Sequence, residues 1–167
     1  MLFLMVSSIL LSIYIQRTES ISFKEYETQL PVEKFLDSIG VKFPLIVLAQ
    51  SIEETTQDGK IFNSTICRNN FNHFGMKFNR RGYARDTRYG HARYDGPLDS
   101  FLDYKAWQKY MLDRVKYPVE TEEDYFYFLE HLPTNKDCTG RYAENRRYVT
   151  NLKYYLKKLK QLKFKKK

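Results

Sequence analysis

The sequence predicts an α+β protein, mainly helical with one small β-hairpin lobe, and three observations carry that prediction. Apolar residues recur at helical spacing near both ends of the 167-residue chain, as they do on helices that bury one face. Between Gln57 and Pro97 that period is lost, and Gly59, Gly75, Gly82, Gly90 and Gly96 punctuate short aromatic and basic runs, a pattern that suits strands and turns. No internal repeat and no strand–helix alternation runs through the chain, so the helices and the β-lobe are segregated. A chain of this length is one domain with a real core.

Taken in order, the elements begin with an uncharged apolar run of 14 residues, Leu2 to Ile15. It is shorter than the roughly 20 residues that span a bilayer and has the length of a signal-peptide core. Residues 1–20 are therefore read as a signal peptide or N-terminal anchor, with a buried helix as the alternative. Thr18 and Ser20 are the small residues before a mature start near Ile21. The expected location is exported, either periplasmic or extracellular. The catalytic domain is expected over residues 21–162 and a basic tail over 163–167.

A first amphipathic helix is predicted over Glu25 to Ile39, ended by Gly40. Pro44 then opens a second, apolar almost all round through Leu45, Ile46, Val47, Leu48, Ala49 and Ile52, which marks a helix in the middle of the domain. It runs directly into Glu53 and Glu54, so a core helix delivers carboxylates at its C-terminal end. Strands are expected at Met76–Asn79 and His91–Tyr94. Phe101, Tyr104, Trp107, Tyr110 and Met111 mark a helix over Leu98–Arg114, Thr121 and Asp124 frame a capping sequence for another through His131, and a last helix covers Asn145–Leu162.

The formal charge is +8, and eight lysines between Lys153 and Lys167, with no acid among them, account for all of it. The preceding residues are neutral overall, which argues against a nucleic-acid partner, since such a reader carries its charge on the folded face that meets phosphate. The lysines are expected to face outward from an apolar stripe of Leu152, Tyr155, Leu156, Leu159 and Leu162. There they would attract an anionic cell-envelope surface. Cys67 and Cys138 are too few for a disulfide framework or a metal site. They form either one bridge or two buried thiols. No cofactor or metal is expected: His73, His91 and His131 lack the spacing of a zinc protease, and no nucleophile elbow or Cys/His protease signature is present.

A carboxylate at the end of a core helix facing a β-lobe has a definite chemical use. Burial raises its pKa, so it still holds a proton near neutral pH and can protonate the leaving oxygen of a glycosidic bond. Glu54 is the candidate; the alternative is a pair of glutamates that merely solvate a helix end.

Four segments carry a resemblance. Leu48-Ala-Gln-Ser-Ile-Glu-Glu54-Thr is similar to an AQxxxE(S/T) helix. Asn72-His-Phe-Gly-Met-Lys77 is similar to NxFGxK, with Ser64 as a small hydroxyl residue upstream. Gly90-His-Ala-Arg-Tyr94-Asp followed by Asp99-Ser-Phe-Leu-Asp-Tyr104 is similar to YxSxxxSxxDY, and Arg141-Tyr-Ala-Glu-Asn-Arg-Arg-Tyr148 to YAxDxxY. In this order they resemble the glucosaminidase family, glycoside hydrolase family 73, over about residues 44 to 155. A longer span between Glu54 and Ser64 departs from the family's pattern.

The resemblance implies a lysozyme-like fold and hydrolysis of β-1,4 bonds in peptidoglycan glycan strands as an endo-β-N-acetylglucosaminidase. It makes Glu54 the general acid and Tyr142 a cleft tyrosine near the reacting sugar. Substrate-binding roles are expected for Gln50, Asn72, Phe74, His91, Tyr94 and Tyr104, with packing of the hairpin as the alternative for His91. For a second carboxylate, the stretch from Lys77 to Pro97 offers only Asp86 and Asp95; Asp86, expected near the hairpin tip, is the candidate base. Muramidase or lytic transglycosylase chemistry on the same polymer, and a catalytically inactive cell-wall-binding domain, are the alternatives.

Overall fold

The computed structural model describes residues 29–79, 81–134 and 140–165. The leader of residues 1–20, Cys138 and the last two lysines lie outside the described residues. Among those described, no helix is long and apolar enough to cross a membrane.

Among the described residues, six helices and one two-stranded antiparallel hairpin follow one another: α1 (Leu30–Ser38), α2 (Pro44–Thr55), α3 (Thr65–Asn70), β1 (Asp86–Arg88), β2 (His91–Arg93), α4 (Pro97–Leu112), α5 (Glu122–Glu130) and α6 (Tyr148–Lys165); α3 is a short helix within the stretch expected to hold only strands and turns. The α+β class is what the chain adopts. α1 starts at Leu30, later than the sequence pattern suggests, because Pro31 has no N–H to donate and fits only the first turn. It ends at Gly40, whose φ of +76° suits glycine. Gly40 N–H donates to Asp37 O and Val41 N–H to Leu36 O, the paired bonds that close a helix C-terminus.

α2 is the centre of the core. Pro44 occupies its first turn, and Ile46 to Ile52 are all buried, with α1 packed on one side and α6 on the other. At its C-terminal end the hydroxyls of Thr55 and Thr56 donate back to Ser51 O and Ile52 O. Thr55 O then accepts from the N–H groups of Asn63 and Ser64, which folds the intervening turn onto the helix. Ser64 caps α3 by accepting from Cys67 N–H.

The hairpin registers Asp86 with Arg93, Thr87 with Ala92 and Arg88 with His91. Its turn is Tyr89–Gly90, both at positive φ, the geometry that matches the twist of a tight hairpin. Met76–Asn79, expected as a strand, is an irregular extended segment. It meets the sheet through a backbone bond from Ala92 N–H to Met76 O, and Asn72 holds it in place. The Asn72 amide donates to Met76 O and Ala92 O and accepts from the N–H groups of Phe74 and Met76.

α4 buries Phe101, Tyr104 and Trp107 while Tyr110 stays half exposed. α5 begins with the expected reciprocal cap between Thr121 and Asp124. α6 begins three residues later than expected, at Tyr148, since Asn145 makes the preceding turn by accepting from Tyr148 N–H. Leu152, Tyr155, Leu156, Leu159 and Leu162 form its buried stripe as anticipated. Its lysines do not all stand clear of the domain. Lys153 reaches Glu123, Lys160 reaches Glu122 and Lys163 reaches Glu33, at 2.7, 2.5 and 2.9 Å. These cations tie α6 to α5 and α1, because α6 lies against two helices whose facing edges carry acids.

Candidate active site

Glu54 leaves the C-terminal turn of α2 where that helix meets an open cleft of about 820 Å³. Phe74, Gly75, Lys77, Phe78, Arg81 and His91 form the wall on the β-lobe side. Trp107 and Met111 come from α4, and Tyr142, Glu144 and Asn145 from the segment before α6. The helix end is buried by its neighbours, so the carboxyl is partly withdrawn from water. Burial pushes its pKa up to about 7; a hydrogen bond from Tyr148 opposes the rise, and the neighbouring Glu53 charge adds to it. Glu53 itself turns to α6, where its carboxylate accepts from Asn151 at 2.7 Å. The two adjacent glutamates thus have different surroundings: one is tied to a helix and the other faces the cleft, able to hold a proton at neutral pH.

Gly75 explains how the opposite wall comes so close. A Cβ there would stand 3.1 Å from Glu54 Oε2, and the backbone sits at φ +61°, a conformation costly for any residue with a side chain. Gly75→Ala is therefore expected to destabilise the protein by about 1–2 kcal/mol and to displace the Glu54 carboxyl. Urea denaturation of the variant beside the wild type checks the first part. An unchanged midpoint would mean that the loop relaxes away from the helix end.

Tyr142 spans the cleft floor. Its hydroxyl donates to Phe74 O at 3.0 Å, which joins the C-terminal segment to the loop carrying Gly75. The proton is thereby engaged, and the oxygen keeps acceptor capacity. His91 is held from both sides: its Nδ1 lies 3.0 Å from Gly75 O and its Nε2 3.3 Å from Lys77 Nζ. A carbonyl only accepts and an ammonium only donates, so Nδ1 carries the hydrogen and Nε2 receives one.

The structure brings Glu54, Tyr142, Phe74 and His91 into one cleft, and leaves several other candidates out of it. Asp86 opens β1, at the end of the hairpin away from the Tyr89–Gly90 tip. Arg93 stands directly across the ladder and grips it with a forked pair of bonds, the Nε one at 2.7 Å. Arg93 holds the Asp86 carboxyl below the usual range, and Asp86 is not among the residues lining the cleft. Asp95 is in an ion pair with Arg85.

Gln50, Tyr104, Tyr94 and Asn72 are buried behind the cleft wall. Asn72 has its hydrogen-bonding positions filled by the loop that it holds, and Tyr94 donates to Asp103 at 2.7 Å. Gln50 and Tyr104 bond each other. These four support the site and do not face a ligand in the cleft.

Sequence reasoning missed Glu144, the other carboxylate lining the cleft among the described residues. Its signal was its position two residues after Tyr142 within the same motif. It also missed Phe78, an aromatic ring half exposed in the wall, and Arg81, fixed there by its fork on the buried Asp103.

Cys67 and His73 lie side by side, Sγ 3.8 Å from Nδ1, yet they are not a nucleophile pair. Burial pushes the thiol up to about 12 and the imidazole down to about 4, so both remain neutral. His73 packs between Phe62 and Phe101 as a core ring. Among the described residues no group of three or more His, Cys, Asp or Glu side chains is arranged to hold a metal ion. The chain matches no family model, no curated protein and no solved structure.

Proposed function

We propose that the chain is an exported glycoside hydrolase of lysozyme-like architecture that cleaves β-1,4 bonds in peptidoglycan glycan strands, with Glu54 as general acid. The observation that carries the reading is Glu54 itself: a carboxyl at the end of a core helix, lining an open cleft and protonated near neutral pH. Such a group donates its proton to the departing glycosidic oxygen, and the ring oxygen shares the positive charge that develops on the sugar. The four-motif resemblance supports the choice of polymer and of N-acetylglucosamine at the cleaved bond.

Two cleft groups support further roles. The Tyr142 oxygen, with its own proton engaged by Phe74 O, is suited to accept the N–H of an acetamido substituent. Glu144 shares the cleft with Glu54, which favours it over Asp86 as the carboxylate that polarises water. The exposed ring of Phe78 offers an apolar face to a sugar. Adsorption of the α6 lysines to anionic wall polymers belongs to the same proposal, reduced by the three that are paired within the domain.

The test is to incubate the purified mature chain with intact peptidoglycan and to identify the new reducing ends by mass spectrometry. N-acetylglucosamine ends are expected. N-acetylmuramic or anhydro-muramic ends would assign the chain to muramidase or transglycosylase chemistry. Binding without any new ends would make it a wall-binding domain.

A further inference from the structure

The neutrality of the chain before its lysine tail conceals an uneven placing of charge. Residues 57–97 carry eight Lys or Arg against three Asp and no Glu, so the β-lobe is cationic. That lobe forms one wall of the cleft, and Lys77, Arg81 and His91 stand on it. The two glutamates that line the cleft, Glu54 and Glu144, come from α2 and from the segment before α6. The cleft is thus polarised across its width, with bases on one side and acids on the other.

Lys77 carries the available charge of the basic wall. Among the described residues no carboxylate lies within ion-pair distance of it. Its ammonium donates instead to a second base, His91 Nε2, at 3.3 Å, while His91 Nδ1 is fixed on Gly75 O at 3.0 Å. One of the three ammonium hydrogens is used in this way, and two remain for an acceptor in the cleft. A surface lysine ordinarily loses rotamer freedom when it binds a ligand; this one is already aimed, by an imidazole that is itself tied to the backbone. Arg81 differs. Its Nε and Nη2 grip Asp103 at 2.5 and 3.1 Å, so its charge is matched from behind and it adds a donor to the wall more than a net charge.

The hairpin extends the same polarity. Partners across a ladder share a face, so Arg88, in register with His91, lies on the cleft side of the sheet, whereas Ala92 on the opposite face is fully buried. Arg93 shares the face of Arg88 and is matched by Asp86. Among the described residues Arg88 has no such acid; its guanidinium stands 4.8 Å from the centre of the Tyr89 ring.

We propose that Lys77, aimed by His91, is a specificity-determining residue that binds a carboxylate carried by the sugar in the cleft. The protein then takes N-acetylated rings with an acidic substituent in preference to neutral ones, and the substituent is directed to the β-lobe wall. The reverse orientation would bring the carboxylate to Glu144, where like charges repel. A neutral strand of N-acetylglucosamine leaves the ammonium with water as its partner. The inference rests on the glycan-hydrolase reading for the identity of the ring, and the binding itself is tested without turnover.

The experiment follows Trp107, the one tryptophan of the chain and a residue of the cleft lining. Its fluorescence in the full chain is titrated at low ionic strength with three probes: N-acetylglucosamine; N-acetylmuramic acid, the same sugar with a lactyl ether carboxylate added; and a muramyl dipeptide, in which that carboxyl is an amide and the charge lies on the peptide. An acidic probe is expected to bind about tenfold more tightly than N-acetylglucosamine, the size of one hydrogen bond to a charged group. Which of the two acidic probes is preferred decides whether the carboxylate belongs to the sugar or to its peptide. Lys77→Gln keeps a donor without the charge and is expected to bring the affinities close together, whereas Lys77→Arg keeps most of the preference. Equal affinity for the three probes in the wild type overturns the proposal, and so does a preference that persists in Lys77→Gln. A chain that cleaves peptidoglycan yet shows no preference keeps the hydrolase reading and loses this subsite. One that shows the preference yet produces no new reducing ends keeps the subsite and loses the hydrolase reading.

Discussion

Glu54→Gln is expected to abolish turnover and, in the same protein, to raise stability above pH 7. The substitution removes the transferable proton while keeping size and hydrogen-bonding capacity, and loss of a required general acid commonly costs 10²- to 10⁴-fold. The stability effect follows from where the proton sits. A glutamate in the unfolded chain ionises near 4.5, whereas Glu54 in the folded protein does so at about 7. Between these values the folded state holds a proton that the unfolded chain has released, so stability declines as pH rises and levels off above the folded value. The decline attributable to this one group is on the order of 3 kcal/mol. Glutamine has no such proton. The variant should match the wild type at pH 4 and exceed it at pH 8.5 in urea denaturation. Parallel stability curves across that range would show that Glu54 is solvated and remove the physical basis for its role as acid.

Asp103→Ala, a change just behind the cleft wall, is expected to cost about 3–5 kcal/mol. Asp103 is fully buried and accepts from Arg81 Nε at 2.5 Å, Arg81 Nη2 at 3.1 Å, Tyr94 Oη at 2.7 Å and Asn79 Nδ2 at 3.3 Å. Removing it leaves the Tyr94 hydroxyl buried without its acceptor and releases Arg81 and Asn79, which line the cleft. Asp103→Asn keeps an acceptor and most of the shape, and should cost less. Guanidinium denaturation of both variants tests the ordering. A loss under about 1 kcal/mol for Asp103→Ala, the value of an ordinary exposed pair, would show that the carboxylate is solvated and that the wall is held by other contacts.

How far the site was legible depends on how local each signal is. The helix that carries Glu54 could be read because its causes lie within a dozen residues: Pro44 sets its start, and an unbroken apolar run demands burial. The Thr121–Asp124 cap and the glycine at the hairpin turn are equally local. Asp86 was misplaced because its surroundings are set by Arg93, seven positions away and across a ladder whose register the sequence does not display. The same holds for Gln50 and Tyr104. They sit in motif positions that suggest contact with substrate, yet their polar atoms meet side chains contributed by α4, α5 and α6.

The amino-acid sequence alone determined that the protein is α+β, that its central helix begins at Pro44, and that this helix ends in carboxylates beside a glycine-punctuated lobe. Backbone propensity, capping and hydrophobic period act over one or two turns, and they suffice for that much. Only the tertiary structure decided that Glu54 faces the cleft while Glu53 turns to α6, that Glu144 shares the cleft while Asp86 does not, and that the α6 lysines clasp neighbouring helices. Each of those outcomes depends on desolvation and on a charged or hydrogen-bonding partner distant in the chain. Such partners meet only when the helices pack, as when Asn151 of α6 takes hold of Glu53 and leaves Glu54 to the cleft.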